Sequence, residues 1–164
     1  MTTIKKFSLY LILILLVSSS ILFAQINDNN GLNAFWIEAE RQVKEGDFEA
    51  YSTSFHHDAI LVNGISKNSI PIKEALDGWE KGFKDTRLRK MKASVEFRFS
   101  ESILGTSSAY QKGIFFYTSE YTEQSPVSFF IHFEVLLTKS NDIWKILMEY
   151  QKEYATHEDW NRLE

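Results

Sequence analysis

Residues 45–64, EGDFEAYSTSFHHDAILVNG, place two imidazoles and a carboxylate in succession at His56, His57 and Asp58, with Tyr51 before them and Asn63 after. Imidazoles and carboxylates are metal ligands and proton carriers. Consecutive residues on an extended turn point in different directions, so the three are not expected to converge on one ion. His56 and Asp58 could be completed by His132 and Glu134 only if the strand faces met. The expected arrangement is structural: Asp58 bonds the turn backbone, the histidines are solvated, and no metal is bound. Asn63 carries two readings. Its amide could orient a ligand carbonyl or hydroxyl by donating and accepting, or it could close the turn at Asn63–Gly64. With no cysteine in the chain, thiolate metal sites, cysteine nucleophiles and disulfides are all excluded.

The elements that must position these groups can be read from apolar spacing. Leu32, Phe35, Trp36, Ala39 and Val43 form one face of a first helix. Gly46 suits the left-handed position past its end, and Asp47 suits the cap of a second helix carrying Phe48, Tyr51 and Phe55. His56–Asp58 then read as a turn, AILVNG as a short buried strand, and GISKNS as a loop. Pro71 fits the first turn of a third helix with Ile72, Leu76, Trp79 and Phe83 in its stripe. Gly78 and Gly82 weaken that helix by up to about 1 kcal/mol each, which implies packing support or room for close neighbours.

Beyond Met91 the period changes to two. Met91, Ala93, Val95, Phe97 and Phe99 alternate with Lys92, Ser94, Glu96, Arg98 and Ser100, giving a strand with one wet face. Tyr110–Tyr121 form a second long strand. A third has Phe129, Ile131, Phe133, Val135 and Leu137 on one face, with Phe130, His132, Glu134 and Leu136 on the other. In the fourth, Trp144, Ile146, Met148 and Tyr150 alternate with Lys145, Leu147, Glu149 and Gln151, which places Glu149 on the outer side. The tail THEDWNRLE reads as a short helix capped by Thr156. Helices first and a meander of antiparallel strands after predict an α+β domain: three N-terminal helices in the hollow of a strongly curved, mostly antiparallel sheet.

Ahead of this domain, Lys5 and Lys6 precede an apolar run from Phe7 to Phe23, and Ala24 follows. That order predicts an export signal over 1–24, cleaved after Ala24, and a periplasmic or secreted domain. If the segment is retained, it is the chain's one predicted membrane contact. Residues 25–31 read as a linker, 32–151 as the domain, and 152–164 as a tail. The mature chain keeps about 140 residues, a common domain size. Loss of Lys5 and Lys6 takes the formal charge from −4 to −6. That surface offers no electrostatic footprint for nucleic acid.

The order of these elements, with GD between the first two helices, DA leading into the first strand and DIWKILMEY closing the meander, resembles the nuclear transport factor 2-like superfamily, and within it the SnoaL-like branch. The resemblance covers about Leu32–Tyr150 and implies a cone with a pocket. This fold hosts many activities, so the resemblance carries no single function. Laid on the steroid isomerases of the superfamily, the base falls on Asn63 and the two oxyanion donors on Ala39 and Ile131. An amide is no carboxylate base, and alanine and isoleucine donate nothing, which argues against that chemistry. Epoxide hydrolases of the same superfamily join paired acids through an arginine inside the cavity, whereas Arg98 and Glu96 fall on the wet face here.

The function expected is therefore binding of a small apolar or amphipathic ligand without cofactor. A cofactor-independent enzyme of the superfamily (isomerase, hydrolase or cyclase) and a ligand-free dimeric interaction module are the alternatives. Trp36, Tyr51, Asn63, Trp79, Phe97 and Tyr117 are the candidate pocket residues, though each aromatic taken singly is better explained by ordinary core. A homodimer through the outer sheet face is expected, with Phe130 and Leu136 as its apolar content.

Overall fold

The computed structural model describes residues 31–122 and 124–163. The expected signal, and the linker apart from Gly31, lie outside the described residues. Among the described residues no helix is long and apolar enough to cross a membrane.

Helix α1 covers 31–45 and buries Leu32, Trp36, Ala39 and Val43, the stripe that its spacing predicts. Gly46 ends it at φ +70°, where a Cβ would stand 2.4 Å from the Phe83 carbonyl oxygen, so glycine is required twice over. Asp47 then caps α2 (Phe48–Thr53) by accepting a hydrogen bond from the Ala50 N–H. The chain enters β1 (Phe55–Asn63), turns, pairs back as β2 (Asn68–Pro71), and continues as α3 (Ile72–Arg87). Four long strands follow: β3 (Met91–Leu104), β4 (Ser108–Tyr121), β5 (Val127–Ser140) and β6 (Ile143–Ala155). Helix α4 (His157–Asn161) closes the order, with Thr156 and Asp159 forming a reciprocal capping box.

One sheet holds all six strands in the order β2-β1-β6-β5-β4-β3, antiparallel except where β1 runs parallel to β6. This is the α+β architecture that the sequence predicts. The inner face of β5 is its centre: Ile131, Phe133, Val135 and Leu137 are essentially inaccessible. Trp36 ties α1 to this face, 4.6 Å from Phe97 and 5.2 Å from Phe99 between ring centroids. Its indole N–H donates to the Gln111 carbonyl oxygen at 2.7 Å, and the Gln111 amide donates on to Ser102, so the buried polar groups there are partnered. Behind the sheet, α4 lays Trp160 against Phe116 and Phe130, while Arg98 sits 4.2 Å over the indole and donates to the Trp160 carbonyl.

Three local expectations are corrected. His56–Asp58 are not a turn, because β1 already begins at Phe55. GISKNS is not all loop, since its last residues open β2, whose Asn68 pairs with Asn63. The alternation of β6 breaks at Leu147. Leu137 pairs with Ile146 and Leu136 with Met148, so Leu147 is an extra residue and the phase shifts after it. Met148 and Tyr150 consequently turn outward, and Glu149 turns in.

Candidate functional site

Between the helices and the concave face of the sheet lies a cavity of about 460 Å³. Its wall is mainly aromatic and aliphatic, and Trp36, Tyr51, Trp79, Phe97 and Tyr117 all contribute to it. Asn63 does not. At the end of β1 its side-chain oxygen accepts the Ser66 N–H at 2.8 Å, which closes the turn outside the cavity wall. Ala39 is in the wall and Ile131 lies in the core, so neither brings a donor to the cavity. Glu96 is exposed, and Arg98 reaches outward to α4.

The helix α3 glycines have a specific place. Gly78 and Gly82 both border the cavity, and a Cβ at Gly78 would meet nothing within 4 Å. At exposed Gly78 the missing side chain leaves open space at the cavity border, whereas at Gly82 a Cβ would stand 3.5 Å from Met91 Cε, a close neighbour of the kind expected.

The polar end of the cavity is built by the β6 bulge. Glu149 faces Leu61 across the parallel ladder and Val135 across the antiparallel one, both inward positions, and is 9% exposed. One of its oxygens accepts the Gln151 amide N–H at 2.8 Å. The other has no hydrogen-bond partner among the described residues and opens to the cavity. Burial raises the Glu149 pKa above the usual carboxylate range, with the Gln151 bond pulling the other way. The Tyr51 hydroxyl is held neutral by burial first and by Glu149 second. Burial likewise raises Tyr117. Ser54, also in the wall, donates to Gln42 at 3.3 Å. In its protonated form, which burial favours, a carboxyl facing such a cavity is both a hydrogen-bond donor and a proton source.

A second group of chemistry-bearing residues lies on β1, apart from the cavity wall. The β1–β6 ladder pairs Phe55 with Ile146 and then Ile60 with Met148, so residues 56–59 stand opposite Leu147. Phe55 and Ala59, at 4% and 2% exposure, pin the ends of this bulge in the core. The bulge folds the three side chains toward one another, contrary to the divergence expected of an extended turn. One donor atom from each of His56, His57 and Asp58 lies within 4.8 Å of the others. His57 Nε2 stands 3.0 Å from Asp58 Oδ2, and His56 Nδ1 stands 3.9 Å from it. His132 and Glu134 remain on the outer face of β5 and take no part.

No family model matches the chain, and no curated protein matches it. Solved structures match it in fold over about three quarters of its length. A conserved protein from Planctomyces limnophilus superposes with TM-score 0.65 at 11% identity, over 76% of this chain and 94% of its own. An NTF-2 like protein of unknown function from Shewanella oneidensis gives 0.57 at 17%, over 75% and 97%. ActVI-ORFA from Streptomyces coelicolor gives 0.57 at 12%, over 76% and 95%. The chain has the nuclear transport factor 2-like fold. At such identities the likeness establishes the fold and no activity.

Proposed function

We propose that the cone cavity binds a small, largely apolar molecule carrying one carbonyl or hydroxyl group, which it orients against Glu149. The observation that carries this reading is the buried Glu149 carboxyl, one oxygen fixed by Gln151 and the other turned to a mainly aromatic and aliphatic space. Apolar walls supply affinity roughly in proportion to area, and a single convergent polar group supplies orientation. The test uses 2-naphthol as probe, with quenching of the wall tryptophans Trp36 and Trp79 as signal. Saturable one-to-one binding is expected, weakened by Gly78→Leu, which adds a side chain at the exposed border of the cavity, and by Glu149→Leu, which removes its buried acid. Absence of saturable binding, or binding indifferent to Gly78→Leu, refutes it. Native mass spectrometry of chain purified from the exporting cell would then report the natural occupant's mass.

A second reading, a cofactor-independent enzyme, is favoured by the unpartnered Glu149 oxygen. A carboxyl whose pKa is raised by burial can pass a proton to or from a bound carbonyl compound. Deuterium exchange at the α-carbon of 2-tetralone, followed by NMR and lost in Glu149→Gln, is its assay.

Two further readings concern placement. Export with cleavage after Ala24 would be checked by sequencing the amino terminus of the secreted chain. Pairing through the outer sheet face retains Leu136, 36% exposed, as an apolar contact, although α4 already covers Phe130. A solution mass of one chain would refute it.

A further inference from the structure

The structure assigns a second site: we propose that the β1 bulge binds one divalent transition-metal ion of the zinc or nickel type through His56, His57 and Asp58. Two imidazole nitrogens and a carboxylate oxygen suit these borderline ions and disfavour magnesium and calcium, which seek oxygen ligands. Around a tetrahedral ion held at about 2.0–2.2 Å, ligand atoms stand roughly 3.3 Å apart. The separations of 3.0 and 3.9 Å to Asp58 Oδ2 bracket that value, and one donor atom from each of the three residues lies within 4.8 Å of the others.

Closing the set is a matter of side-chain rotation. The His57 and Asp58 side chains are 80% and 72% exposed and free to turn, while buried Phe55 and Ala59 hold the backbone between them. His56 Nδ1 gives up only a 3.2 Å bond from the Asp58 N–H. The two rings are already gathered, with centroids 4.2 Å apart. Three protein ligands leave at least one position for water, so the ion stays accessible from solvent. The bulge also accounts for its own presence. A parallel pair with four residues opposite one loses ladder bonds, and such bulges re-aim side chains.

The experiment is isothermal titration of the tag-free chain with zinc chloride, repeated with magnesium chloride, and with cobalt chloride to read the visible d–d bands. One zinc per chain is expected, with no magnesium heat and a tetrahedral cobalt spectrum. His57→Ala should weaken zinc binding at least tenfold, whereas His132→Ala and His157→Ala should leave it unchanged. His57 is exposed, so its variant keeps the fold, and an unchanged near-ultraviolet dichroism spectrum verifies this. No zinc heat, binding untouched by His57→Ala, or binding lost with His132→Ala would each overturn the assignment.

Discussion

Replacing Glu149 by Gln keeps the side chain's shape and its acceptor for Gln151 while removing its titration, which turns a buried carboxyl into a measurable slope. In the folded chain burial raises the Glu149 pKa above its ordinary value of 4.5, so the native state holds this proton to higher pH than the unfolded chain does. Stability therefore falls as pH rises from the ordinary carboxylate value to the raised native one, where the buried group finally ionises. One proton sets the limit: the variant should gain on the wild type by at most about 1.4 kcal/mol per pH unit across that window. Below the window the two chains should differ little, because both carry a neutral group. Above it the gap should level off with the variant the more stable. Urea unfolding at a series of pH values, followed by tryptophan fluorescence, measures the gap directly, since acid and base effects common to both chains cancel. Two chains whose stabilities run parallel with pH, or a wild type that gains on the variant as pH rises, would refute the claim that burial raises this carboxyl's pKa.

Gly113→Ala should destabilise by about 1–3 kcal/mol or more, because its Cβ would lie 2.0 Å from the Arg98 carbonyl oxygen on the neighbouring strand; urea midpoints report it. Gly78→Ala, with nothing within 4 Å, should instead stabilise by up to about 1 kcal/mol through helix propensity and encroach only slightly on the cavity. Asn63→Ala should cost about 1 kcal/mol for the lost bond to the Ser66 N–H yet leave 2-naphthol affinity unchanged; reduced affinity would return Asn63 to the site. Thr156→Ala removes the hydroxyl side of the α4 capping box while leaving the backbone N–H bond to Asp159, at a cost of about 1 kcal/mol, and the near-ultraviolet signal of Trp160 should weaken as the helix frays.

Much of the fold was legible because the residues that punctuate it have one conformational use. Gly46 stands where only a left-handed residue ends α1, and Asp47 where only a short acceptor caps α2. The phase of β3 and β5 follows from alternation over ten or more residues, long enough to outvote single exceptions. The aromatic wall was reachable for the same reason: Trp36, Tyr51 and Trp79 lie on helix stripes, and Phe97 and Tyr117 on long strands. Strand β2 was not legible. Its four residues, Asn68–Pro71, are too few to show a period, and they form because β1 offers an edge for them to pair with.

The two chemical features that alternation misplaced, Glu149 and the His56–Asp58 cluster, lie on either side of one irregularity. Leu147 is an extra residue against β5, and at the same level β1 carries four residues against this one. Period-two reasoning fixes a face only up to the first bulge, after which every assignment is inverted. The sequence does hold a trace of the break, since Ile146, Leu147 and Met148 form an apolar triplet where strict alternation would demand a polar member. A triplet on a strand whose neighbours have one wet face is a place to test both phases. Here the alternative phase gives the more informative structure, because it turns an acid into an aromatic cavity. Burying an acid without need is costly, and an apolar residue at 149 would fill the same wall at no desolvation cost. Its protein partner is Gln151, itself part of the cavity wall, so the pair serves no contact between elements that a Leu–Leu pair would not serve as well. What Glu149 and Gln151 add over such a pair is a polar surface facing the cavity, and a polar surface there has a use only when something occupies it.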